Sequence, residues 1–149
     1  MDYEDIFAIL APCGLDCSTC LARAEGAISA HAKALSELLG PNFTTYAERF
    51  RHMEPVFERY AHFKEFLDFL SKGACPGCRA GGCLFKGCRV TRCVKEKNVD
   101  FCFQCREFPC SRTGFPPQLE AVWRRNNDIM RAQGVEAFFE ACRGKHRYP

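Results

Sequence analysis

The sequence is poor in the features that mark several functional classes. No run approaches the roughly 18 consecutive apolar residues that a membrane-spanning helix requires, so no membrane partner is expected. The opening residues, MDYEDIFAIL, are acidic and carry no cationic leader, so a secretory signal is not expected and a cytoplasmic location is. Histidine is scarce. His31, His52, His62 and His146 share no paired spacing, and no HxxxH occurs. A hydrolytic zinc enzyme, which needs an open coordination position and a nearby base, therefore finds little support; only Asp16, beside Cys17, argues for one. No catalytic residue is assigned, and an enzyme is the less favoured reading. Internal repeats, low-complexity segments and clear strand patterns are also missing.

Cysteine is abundant instead. Of twelve in 149 residues, eight fall between Cys75 and Cys110: Cys75, Cys78, Cys83, Cys88, Cys93, Cys102, Cys105 and Cys110. A CxxC turn brings two thiolates to a common point and supplies half of a tetrahedral site, and two such pairs, Cys75/Cys78 and Cys102/Cys105, bracket this stretch. A second group, CGLDCSTC, adds Cys13, Cys17 and Cys20. In a reducing compartment such a pattern favours metal over disulfides. The eleven are therefore candidate metal ligands. Cys142 is set apart as a core residue by its place on an apolar helical stripe.

Zinc is the expected metal, two or more ions, because eight thiolates close two tetrahedral shells. Spacing leaves the pairing open. Cys75/Cys78/Cys88/Cys93 beside Cys102/Cys105/Cys110 and one more thiolate is one arrangement. A cross-brace of Cys75/Cys78 with Cys102/Cys105 is another, and completion of the Cys102 group by Cys13 or Cys17 is a third. Soft thiolates equally serve an iron–sulfur cluster, which makes a cluster protein in electron transfer or cobalamin-linked chemistry the alternative. The Cx3Cx2C spacing of Cys13, Cys17 and Cys20 also matches that of radical S-adenosylmethionine enzymes, but the chain lacks the strands and length of their barrel.

The formal charge of +3 invites a nucleic-acid reading through Arg89, Arg92, Lys95 and Lys97, with Phe101, Phe103 and Phe108 as stacking platforms. The preferred account is that these cations balance thiolates and that the phenylalanines pack under the metal sites. Two zinc ions in four-thiolate shells bring a charge of about −4, which cancels the local basic excess. Nucleic acid is thus possible but not favoured; an unidentified protein partner is the expected one.

With 47% apolar residues and 14 Phe, residues 1–149 are expected to form a single domain. Its class is mainly α: a small helical domain with an irregular, strand-poor, cysteine-rich metal-bound segment. Expected elements are a short helical turn through Ile6–Leu10, a helix over 21–39 capped by Ser18 or Thr19, and helices over 43–53 and 55–71. A basic helix is expected before CFQC, and two more over 117–133 and 135–142, punctuated by Gly134. Ile28, His31, Leu35 and Leu38 form one stripe, with His31 read as partly buried rather than a ligand. The broad aromatic face of 55–71 predicts a core packed from two sides, with an apolar groove as the lesser reading. The tail GKHRYP is expected to fray.

The order CGLDCxxC, CxxC, CRVTRC with a Lys-rich turn, then CxxCxEFPC resembles a bacterial and archaeal family catalogued as domain of unknown function 3795. The resemblance spans residues 13–20 and 75–110. It places the family's cysteine pattern on Cys13, Cys17, Cys20, Cys75, Cys78, Cys88, Cys93, Cys102, Cys105 and Cys110. It implies metal binding and no particular substrate.

Overall fold

The structure is a computed structural model and describes residues 1–148. Seven α-helices carry the fold: α1 (Tyr3–Ile9), α2 (Ala27–Leu39), α3 (Phe43–Phe50), α4 (Tyr60–Lys72), α5 (Val90–Lys97), α6 (Pro117–Gln133) and α7 (Val135–Cys142). Among the described residues no strand forms beyond two isolated bridges, Leu10 with Asp16 and Arg23 with Cys75. The mainly helical, strand-poor class expected from the sequence is what is found.

Local signals explain most boundaries. Asp2 caps α1 by accepting from the Asp5 N–H at 2.9 Å, which extends the expected single turn into a seven-residue helix. Pro117 opens α6, and Gly134, with φ of 89°, ends it and admits α7. Asn98 adopts the left-handed conformation and stops α5.

The start of α2 departs from expectation. The helix begins at Ala27, capped by Gly26, not near Leu21. Residues 22–24 are instead drawn alongside Cys75: the Cys75 N–H donates to Ala22 O at 2.8 Å and the Ala24 N–H to Cys75 O at 2.9 Å. Backbone pairing of two distant segments thus overrides local helix propensity. Ser18 caps nothing; its N–H and hydroxyl both donate to Asp16 Oδ1, at 2.8 and 2.6 Å.

Two adjoining cores hold the body together. One joins Ile6 and Leu10 of α1 to Phe101, Met130, Val135, Phe138 and Phe139. Cys142 packs against this core, as a small hydrophobe would. The other gathers Cys13, Cys17, Val90, Val94, Phe108 and Trp123 beneath the cysteine loops.

Helices α2, α3 and α4 form an arm packed chiefly on itself. Here the expected faces fail. Contact between α2 and α4 runs through buried Ser29, Ala32 and Leu67, with Ser29 Oγ donating to Ser71 O at 3.0 Å. Small residues permit that close approach and turn the larger side chains outward. Leu38 is 85% exposed, Phe66 is 59% exposed, and Leu35, Val56, Phe63 and Phe69 are also exposed. His31 is exposed rather than partly buried. The aromatic surface of α4 is not covered from two sides. Its upper part, with Leu35, Phe43, Phe57 and Tyr60, lines an apolar groove.

Candidate metal centre

The cysteine loops are fixed by a few polar groups reaching from helices. Asn126 and Asn127, buried neighbours on α6, each hold a different loop. Asn126 Nδ2 donates to Gly14 O at 2.9 Å within CGLDC. Asn127 Oδ1 accepts the Phe103 N–H at 2.9 Å within CFQC. Gln104 Oε1 accepts the N–H groups of Asp100 and Phe101 at 2.8 and 3.0 Å and turns the chain into the same CxxC. Arg79, directly after Cys78, donates to three carbonyls: Phe7 at 2.8 Å, Asp100 at 2.9 Å and Leu10 at 3.2 Å. Its guanidinium lies 3.7 Å from the Phe7 ring centroid, and burial lowers its pKa. Neither the asparagines nor Arg79 stood out in the sequence, because a polar residue that braces a distant loop has no local signature.

All twelve cysteines are free thiols, and nine of them line two sulfur-lined places. The first is a small cavity of about 20 Å³ between α5 and α6. Cys93, Cys102, Cys105 and Cys110 line it, with Trp123, Phe108, Val94, Val99 and Lys97 completing the wall. Trp123 is 1% exposed and its indole N–H has no hydrogen-bond partner among the described residues. The indole lies near enough to Cys102 to favour that thiolate, although burial dominates and pushes the thiol up to about 11.

The second place is a wider cavity of about 410 Å³. Two CxxC turns, Cys17/Cys20 and Cys75/Cys78, face each other across it with Cys83 on the same wall. The two turns are brought together by the backbone pairing of residues 22–24 with Cys75. Donors reach the sulfurs: the Gly77 N–H to Cys75 Sγ at 3.3 Å, and the Tyr148 hydroxyl to Cys20 Sγ at 3.9 Å. Cys78 hydrogen-bonds Cys17, which lowers the Cys17 pKa to about 6 and raises that of Cys78. Arg147 and Arg23 add to the effect on Cys17. Cys88 lies with Cys78 and Cys83 on a neighbouring surface cavity. Cys13 is buried between the two sulfur groups, and burial pushes its thiol up to about 12.

The pairing left open by spacing is thus narrowed by position. Cys93, rather than Cys13 or Cys17, stands with Cys102, Cys105 and Cys110. Cys75/Cys78 line the same cavity as Cys17/Cys20 and not the one lined by Cys102/Cys105. Among the described residues no three or more His, Cys, Asp or Glu side chains converge as a ready-made coordination shell. The fold supplies sulfurs around shared spaces, and side-chain rotation would have to close a shell. No histidine stands near either group: all four are exposed. The Asp16 carboxylate is occupied by Ser18.

The charge account also changes. Arg92 pairs with Glu96 at 2.7 Å, and Lys97 pairs with Glu107, so these cations answer carboxylates. The guanidinium groups at the wider sulfur cavity are Arg23 and Arg147, outside the basic stretch. Phe101 and Phe108 are buried and offer no face to a nucleic-acid base; Phe108 packs beneath the cysteine loops, and Phe101 in the core with α1 and α7. The tail does not fray at Arg147 and Tyr148. Arg147 donates to Asp16 O, and the Tyr148 hydroxyl accepts the Leu21 N–H at 3.2 Å.

A family model described as proteins of unknown function, DUF3795, matches residues 9–114. The chain belongs to that family. The match takes in both sulfur groups and the arm, and it ends before α6, so Trp123, Asn126 and Asn127 of this DUF3795 protein lie beyond it. No curated protein and no solved structure matches the chain. Among the described residues no helix is long and apolar enough to cross a membrane.

Proposed function

We propose that the chain is a metal-binding protein in which Cys93, Cys102, Cys105 and Cys110 hold a structural zinc ion, and that the metal-stiffened body serves to bind a partner protein. One observation carries the reading: four cysteines, from α5 and from the loop after it, line one small cavity of about 20 Å³. The donor set fits. Four soft sulfurs suit zinc, and four thiolates complete its shell. When bound, zinc in a four-thiolate shell supplies cross-linking and neither redox change nor an activated water.

The chain's own residues do the positioning. Asn127 and Gln104 set the CFQC turn, α5 presents Cys93, and Trp123 forms part of the wall with its indole near Cys102. Such outer contacts orient ligands and tune affinity. The partner-binding half is supported by the arm, whose exposed Leu, Val and Phe side chains exceed the scattered apolar residues usual on a monomer.

Elemental analysis of single-cysteine variants tests the reading. Cys93→Ser and Cys110→Ser should each lose about one zinc per chain and destabilise the fold, because metal affinity is folding free energy. Cys142→Ser should keep the full zinc content. Equal zinc in all three proteins would remove Cys93 and Cys110 from the ligand set.

A further inference from the structure

The two sulfur-lined spaces differ about twentyfold in volume, about 20 Å³ against about 410 Å³, although each is walled by at least four cysteines. That difference bears on the occupant. A single zinc ion draws its sulfurs to about 2.3 Å and fills the space among them, leaving no cavity to line. The wider space is lined by five cysteines together with Leu84, Phe85, Arg147 and Tyr148, and has room for an occupant with a volume of its own. A cube of four irons and four sulfides is such a body, and it takes four cysteine thiolates.

We propose that the wider cavity is an iron–sulfur cluster site of the four-iron type, with Cys17, Cys20, Cys75 and Cys78 as ligands and Cys83 on the rim. The inference rests on the chain being metal-binding, but it does not need zinc in the smaller cavity.

Three further features of the cavity belong with a cluster. The surrounding side chains include Leu21, Leu84 and Phe85, an apolar rim beside the sulfurs. Arg23 and Arg147 line the same wall and oppose the net negative charge of a cluster with four thiolates. The Gly77 N–H and the Tyr148 hydroxyl point to cysteine sulfur, the kind of contact that sets a cluster's potential. The two CxxC turns are held in mutual position by backbone hydrogen bonds at Cys75, so the opening between them is a property of the fold.

The test is the composition of the full chain purified without air from cells grown with both iron and zinc. Iron, zinc and acid-labile sulfide are measured together with the visible spectrum. About four irons and four sulfides per chain, a brown colour, and about one zinc are expected. Cys20→Ser with Cys75→Ser should abolish iron and sulfide and keep zinc, and Cys105→Ser should do the reverse. Where a cysteine variant fails to fold, Arg147→Gln gives a second readout: it keeps the cluster and moves its reduction potential downward, because a positive charge near the cluster is removed.

A colourless protein with two or more zinc ions and no sulfide overturns the cluster and leaves the zinc reading standing. Iron and sulfide without zinc overturns the zinc reading and leaves the cluster. Iron that survives the Cys20/Cys75 change but is lost with Cys105→Ser puts the cluster in the other cavity and overturns this inference. An unchanged potential in Arg147→Gln would also count against the assigned cavity.

Discussion

The Asn126 side chain donates to the Gly14 carbonyl at 2.9 Å across 112 positions of sequence, and so ties α6 to the first cysteine loop. The contact is close on both sides: a Cβ added at Gly14 would lie 2.6 Å from the Asn126 Cβ. Gly14 also has φ of 81°, where an L side chain is strained. Gly14→Ala should therefore lower stability by about 2 kcal/mol or more, since the backbone term alone costs about 1–2 kcal/mol. Thermal unfolding checks this. An unchanged Tm would mean that the loop is not held as described.

Arg79 offers a second test. Its guanidinium serves three carbonyls from two segments, and a lysine reaches one of them at a time. Arg79→Lys should destabilise the fold by about 2–4 kcal/mol, the cost of two or more lost charged hydrogen bonds. Denaturant titration should show a lower midpoint at constant slope. A midpoint like that of the parent would make the three contacts energetically idle.

Trp123 is the chain's one tryptophan, and it lines the small sulfur cavity. Stripping the metal with a strong chelator should change its fluorescence in step with metal release. Trp123→Phe keeps the ring packing and removes the N–H; it should weaken metal retention by roughly tenfold, as loss of an outer-shell contact does. Competition with a chromophoric chelator measures it. Retention equal to the parent would show that the indole only fills space.

Tyr3 gives a pH dependence. Its hydroxyl donates to Asp100 Oδ2 at 2.8 Å. Burial, then that hydrogen bond and the Asp100 charge, raise its pKa from 10.0 to about 12. The folded state then holds the proton more tightly than the unfolded state. The resulting stability is fully present below pH 10 and is lost as pH rises from about 10 to about 12. Comparing the parent with Tyr3→Phe isolates this group from the thiols that ionise nearby. The stability gap between them should shrink across that window; a constant gap would rule out the linkage.

How much of this was legible in the residues varies by element. Helices α6 and α7 were readable to the residue, because Pro117, Gly134 and the apolar spacing act within a turn or two of themselves. The cysteine spacing likewise marked the thiols, since CxxC geometry is local. The amphipathic pattern of α2 and α4 was real, but it misled about burial. Periodicity reports that a helix has an apolar face, not that another element covers it, and Ser29 with Ala32 made the contact that Leu35 and Leu38 were expected to make.

Which sulfurs share a space was decided in three dimensions. Cys93 joins the second CxxC because α5 lies against α6 beside Trp123, and Cys17/Cys20 meet Cys75/Cys78 because Cys75 pairs with the backbone at residues 22–24. The chain's composition settled that it would be helical and rich in thiols. The division of those thiols into a small pocket and a wider one came from long-range backbone and amide hydrogen bonds, which any residue's main chain can make and which spacing therefore cannot announce.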